Sequence, residues 1–175
     1  MNASQIQRFI ENFFGPEYIK DAEFPIRLIE GKEDAFIGIG RQQYGDPIAI
    51  YDGSKCKESH KGIMNLIKES MDTAIERYER TFEPNNETMQ YDNLNEAYVG
   101  MGYMPDTQPL VVYDSDKCIE VLYKDFSKDP NTMEDSDPYE DAIEWYSYNT
   151  EGTYCGTGTP ILAKIFDASD LDQEN

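Results

Sequence analysis

Near the start of the chain, apolar residues recur at steps of three and four. Ile6, Phe9, Ile10, Phe13 and Phe14 share one stripe of a helix that the Gly15-Pro16 pair ends. The period then shortens. "PIRLIE" at 25–30, "AFIGIG" at 35–40 and "PIAIYD" at 47–52 read as strands, and a loop holding Gly45 and Asp46 joins the last two into a hairpin. Helical spacing returns in "GIMNLIKESMDTAIERYERTF" at 62–82. There Ile63, Ile67, Met71, Ala74, Ile75, Tyr78 and Phe82 form a stripe, as one long helix or as two with a break near Ser70.

The hairpin is written twice. Sixty-two positions on, "AYVGMG" at 97–102 and "PLVVYD" at 109–114 repeat it without insertion. Gly38, Gly40, Pro47, Tyr51, Asp52, Lys55 and Cys56 recur as Gly100, Gly102, Pro109, Tyr113, Asp114, Lys117 and Cys118. Each proline opens a second strand, a position where its missing N–H is tolerated. The strand glycines, and a third Gly-x-Gly at 156–158, suit a bulge or the close approach of another element. A phosphate-binding loop would instead need amides freed at a helix N-terminus, with further glycine and a Lys or Ser/Thr. Asp52 and Asp114 follow their strands where helices are expected to begin, and both suit N-caps.

After Asp114, the residues Ile119, Leu122, Tyr123 and Phe126 keep helical spacing. A further helix is expected from Pro138, its inner face made by Ala142, Ile143, Tyr146 and Trp145. A shorter echo, "TYCGTGTPILAKIFD" at 153–167, reads as a third hairpin. These elements predict an α+β fold in a single domain over 1–175. Its sheet would be mainly antiparallel, built from repeated β-hairpins with helices packed on it, and it would carry an approximate internal two-fold repeat. The repeat spans 35–82 and 97–148, and an acidic tail occupies 168–175.

Charge changes the picture more than composition does. The chain has a net charge of −20, yet residues 1–82 carry 11 Lys/Arg against 14 Asp/Glu (−3) and residues 83–175 carry 4 against 21 (−17). Such a field repels nucleic acid and anionic membrane and draws basic partners inward. No apolar run is long enough to span a bilayer, and the opening residues read as an amphipathic helix rather than a signal peptide, so a cytoplasmic location is expected. Three cysteines without metal-type spacing suit a reducing compartment, where Cys56, Cys118 and Cys155 act as small hydrophobes.

Candidate chemistry is sparse. His60 is the only histidine, its counterpart at the repeat offset is the apolar Leu122, and no nucleophile motif accompanies it. No catalytic residues, cofactor or metal site are therefore expected. The acidic stretches at 129–141 and 167–175 lack the EF-hand pattern of glycine and glutamate. Carboxylates on a rigid frame can instead imitate phosphate spacing and occupy a basic groove. The residues expected to do so are Glu83, Glu87, Asp92, Glu96, Asp106, Asp116, Asp135, Asp137, Glu140 and Asp141. The alternative is a small-ligand or nucleotide-binding protein, with Arg41, Tyr44 and Tyr103 from the hairpins lying beside the strand ends at Asp52 and Asp114.

The stretch "EDAIEWYSYNTEGTYCGTGTPIL" at 140–162 resembles a segment of small uncharacterised proteins of tailed bacteriophages, in which an acidic-aromatic helix leads through Asn and Gly to a Thr-Pro strand. Ala142, Ile143, Glu144, Tyr146, Asn149, Gly152, Gly156, Thr159 and Pro160 carry the likeness, and "GIGRQQYGDPIAIYDGSKC" at 38–56 extends it. The extra hairpin at 97–114 departs from that pattern. The resemblance implies a phage-like origin and offers no catalytic residues to carry over. With the charge asymmetry it points to a non-enzymatic protein that occupies a basic host protein, of nucleic-acid-binding or defence type, or alternatively to a virion or assembly component.

Overall fold

The computed structural model describes residues 1–15, 26–43, 45–58, 60, 62–81, 89–128, 137–167 and 169. Helix α1, Ala3–Phe14, starts at a capping box between Asn2 and Gln5 and ends at Gly15. Its buried face is Ile6, Phe9 and Ile10, each contributing on the order of 2 kcal/mol by leaving water. Six strands come next. They are β1 (Phe36–Arg41), β2 (Ile48–Asp52), β3 (Ile63–Ile67), β4 (Tyr98–Tyr103), β5 (Leu110–Asp114) and β6 (Ile161–Ile165). Helix α2 (Met71–Thr81) separates β3 from β4, while α3 (Ser115–Phe126) and α4 (Pro138–Tyr146) lie between β5 and β6.

The strands close into a barrel in chain order. β1–β2, β3–β4, β4–β5 and β6–β1 are antiparallel, whereas β2–β3 and β5–β6 are parallel. The expected open, mainly antiparallel sheet of hairpins is thus replaced by a closed mixed barrel. Two misread segments account for the difference. "IMNLI" at 63–67 is a strand, with Met64 and Leu66 buried inside and the half-exposed Ile67 outside, although Ile63 and Ile67 also fit a helical stripe with α2. The 153–167 segment holds one strand rather than a hairpin, and β6 is the counterpart of β3. Asp52 and Asp114 pair with Leu66 on β3 and Ala163 on β6 respectively. "PIRLIE" forms no strand: 26–29 are irregular and the chain turns at Glu30–Gly31, while Pro25 lies outside the described residues. Phe82 of the helical stripe also lies outside them.

Alternation along the strands sorts the core. Ile37, Ile48, Ile50, Met64 and Leu66 fill the barrel with their counterparts Val99, Leu110, Val112, Ile161 and Ala163. Outward residues meet the helices: Ile39, Ala49 and Tyr51 pack under α1, and Met101, Val111 and Tyr113 pack with residues of α2, α3 and α4. Both copies carry the same register shift, at Phe36/Gly38 and at Tyr98/Gly100. At that point the neighbouring strand runs against the bulged one, so that a methyl on Gly100 would lie 2.5 Å from the Ile67 carbonyl oxygen.

The repeated "YD…KC" phrase has one mechanical role in each half. The Tyr51 hydroxyl accepts from the Ile29 amide at 2.9 Å, and the Tyr113 hydroxyl accepts from the Tyr91 amide at 3.2 Å, again sixty-two residues apart. Asp52 Oδ1 accepts from the Ser54 amide at 2.9 Å and Asp114 Oδ1 from the Asp116 amide at 3.0 Å. Cys56 and Cys118 are fully buried beneath. The copies diverge just past the aspartate. Asp114 caps the twelve-residue α3, but Asp52 caps only the turn at 53–55, where Gly53 stands in place of Ser115. The helix expected after Asp52 is absent.

The two aspartates also titrate oppositely. Burial pushes the Asp114 carboxyl above its ordinary range, outweighing the Lys117 amide. The Ser54 hydroxyl and amide pull Asp52 below that range. Asp52 therefore adds stability above the ordinary carboxylate value, lost as pH falls through its depressed folded value. Asp114 does the reverse: its contribution is favourable when protonated and is lost as pH rises from the ordinary value through the raised folded one. At neutral pH, Asp52→Asn is expected to lower the urea midpoint, and Asp114→Asn, which keeps a capping side chain, to hold or raise it. Midpoints measured from pH 3 to 7 test this, and shifts of the same sign at pH 7 would refute it.

Candidate functional site

Helix α4 buries little. Only Ala142 and Tyr146 face inward, while Ile143 and Trp145, expected in the core, are 39% and 40% exposed. Ala142 and Tyr146 share a buried cluster with Cys118, Val121 and Leu122 of α3. Successive positions on an α-helix are 100° apart. Glu140 and Glu144 therefore form the outermost ridge, with Tyr139 and Ile143 on one flank and Trp145 on the other. Tyr123 of α3 meets Tyr139 edge to face at 5.8 Å, and Tyr148 just beyond α4 is 75% exposed. Neither Glu140 nor Glu144 forms an ion pair among the described residues. Tyr139, Ile143, Trp145 and Tyr148 thus place several large exposed side chains beside these carboxylates, and contiguous exposed apolar patches mark interaction sites.

Of the ten carboxylates expected to meet a basic partner, seven are described. Asp137, Glu140 and Asp141 lie together on α4, where Asp137 caps the Tyr139 amide at 2.9 Å. Asp116 pairs with Lys164, and Glu96 lies 3.7 Å from Lys124. Asp92 is exposed on the turn before β4. Asp106 sits in the β4–β5 loop, at the opposite end of β5 from α3. There, with Asp46, Ile48, Met104 and Ile161, it lines a cavity of about 490 Å³ at the barrel mouth. Glu83, Glu87 and Asp135 fall outside the described residues. His60, expected at the edge of the core, is exposed, 3.6 Å from Glu58.

A second cavity, of about 400 Å³, lies over the end of β1. Of the residues named for the ligand-binding alternative, Arg41 lines it. Arg41 and Ser115, which follows Asp114, line it together because the stagger of the barrel sets Gly40, Ala163 and Asp114 in one row across three strands. The β1–β2 hairpin thus reaches the cap of the other half, not its own Asp52. Tyr103, the counterpart of Arg41, stands in the row of Asn65 and Tyr51, and its ring is covered by the Arg77 guanidinium at 5.2 Å. Arg77 in turn pairs with Glu69. Tyr44 lies outside them.

One feature of the cleft went unread in the sequence. Residues Ser147–Glu151 form a π-helical turn, a geometry that clusters at functional sites. It closes through the Gly152 amide, which donates to the Ser147 carbonyl at 2.9 Å, and a Cβ on Gly152 would lie 2.8 Å from that oxygen. The Tyr91 hydroxyl donates to the Thr150 carbonyl at 3.2 Å and ties the turn to the core. The turn delivers Glu151 to Arg41, whose Nη2 it accepts from at 2.6 Å. The only hint in the sequence was Gly152.

The fold defines the chain as a pseudo-two-fold, six-stranded mixed barrel with helices on its outer surface. No family model, no curated protein and no solved structure matches it. Among the described residues, no helix is long and apolar enough to cross a membrane.

Proposed function

We propose that the protein is a non-enzymatic acidic binding protein that occupies a basic partner through α4 and the turn after it. The observation that carries this reading is the ridge of Glu140 and Glu144, without ion pairs among the described residues, flanked by exposed Tyr139, Ile143, Trp145 and Tyr148. Tyr and Trp are favoured interface anchors, and carboxylates beside them steer and orient a basic groove. The partner class is a nucleic-acid-binding or defence protein of a bacterial host, in keeping with the phage-like segment at 140–162. The reading is narrower than a mimic built from every acidic residue, because the carboxylates are spread over several faces.

The test is capture from bacterial lysate, eluted in rising salt, with the intact chain and with the Glu140→Lys/Glu144→Lys and Trp145→Ala variants. A basic protein released at moderate salt, and bound at least about tenfold more weakly by both variants, is the expected outcome. Equal retention by wild type and variants would overturn the reading.

A further inference from the structure

We infer that the cleft over Arg41 binds a small zwitterion with an apolar body, of the α-amino-acid type. The inference rests on the cleft and not on the α4 ridge, so either reading can fail alone.

The cleft has both halves of the required chemistry. Its apolar wall is Phe13 and Phe14, set edge to face at 4.7 Å, with Ile39 and Leu162 beside them. Phe13 is 47% exposed, although it belongs to the apolar stripe of α1. Its polar side is the Arg41–Glu151 pair. Arg41 uses one N–H on Glu151, and its other donors face no partner among the described residues. A ligand carboxylate can take those donors while its ammonium takes the free Glu151 oxygen. A volume of about 400 Å³ suits a small molecule.

Charge selects the class. Across a chain of net charge −20, a small anion is repelled before it reaches Arg41. Arg41 and Glu151 balance each other, and a ligand that is itself neutral overall, with separated charges, matches the site without opposing the field. Stability does not explain the pair, since side chains 51% and 41% exposed gain about 0–1 kcal/mol from pairing. Nor does the repeat, because the same position in the other half is Tyr103, closed over by Arg77. The duplication is therefore broken at the cleft, where a π-turn, with its Gly-only closure, supplies the second charge.

The test titrates the full-length protein with L-phenylalanine and L-leucine, then with phenethylamine, which lacks the carboxylate, and 3-phenylpropionate, which lacks the ammonium. The Arg41 Nε–H and Gly152 amide signals report by NMR. Both amino acids are expected to saturate these signals with dissociation constants near ~1 mM, and each one-charge analogue to bind at least about tenfold more weakly. Arg41→Gln and Glu151→Gln should each abolish the preference for the zwitterion while leaving the thermal transition in place. No saturable shift with either amino acid would overturn the inference. So would equal binding of all four probes, or binding unchanged in Arg41→Gln.

Discussion

Gly38→Ala is expected to cost at least about 3 kcal/mol of folding stability, the upper range for forcing an atom into a packed site. The new methyl would fall well inside van der Waals contact distance of the Lys164 carbonyl oxygen and 3.0 Å from the Ile165 Cα. Both are backbone atoms of β6, held in register by pairing with β1, so neither can turn aside. Gly102→Ala supplies the internal comparison. The three atoms nearest its methyl all belong to the Met64 side chain, the Sδ closest of all, and a thioether can change rotamer. A smaller loss, about 1–2 kcal/mol, is expected there. Urea unfolding followed by circular dichroism measures both. If Gly38→Ala were no worse than Gly102→Ala, the bulge would not be the rigid point of the barrel.

Tyr113→Ala is expected to cost about 3–5 kcal/mol, as for other large aromatics removed from a core. Tyr113 is fully buried among Tyr91, Tyr98, Val111 and Cys118, and its ring lies 5.4 Å from that of Tyr91. Burial raises its hydroxyl to about 12, so it stays protonated and accepts the Tyr91 amide across the working range. Tyr113→Phe keeps the ring and leaves that amide without its acceptor, at a cost of about 1–3 kcal/mol. The second variant also has a local readout. Tyr91 holds the π-turn through Thr150, so amide exchange at Gly152 should quicken in Tyr113→Phe by more than its global loss accounts for. Exchange that follows global stability alone would separate the turn from this tyrosine.

The duplicated hairpins, α1 and its end at Gly15 were legible because each rests on local chemistry: turn residues, alternation, a helical stripe with a Gly-Pro stop. The barrel was not, because its closure depends on two parallel pairings and two pairings between halves, which leave no period in the sequence. "IMNLI" shows the difficulty at its smallest. Five residues with Asn65 in the middle fit a strand, and Ile63, Ile67 and Met71 fit a helix equally well. Ile143 and Trp145 were misplaced for another reason. Residue type points inward, yet α4 meets α3 through the narrow side of Ala142 and Tyr146. Of the cleft, Arg41 was picked out from the hairpin, while Glu151 was not, since a π-turn has no composition of its own.

The seams of the barrel set the history such a chain can have. Each half contributes three strands whose outer members, β1 and β3 or β4 and β6, keep one hydrogen-bonding edge that only the other half covers. A lone half would carry both edges bare, and the partner that fits them is a second half of the same kind, related by a two-fold axis. The ancestor of this fold is therefore most simply a homodimer, whose gene was duplicated and fused into one chain.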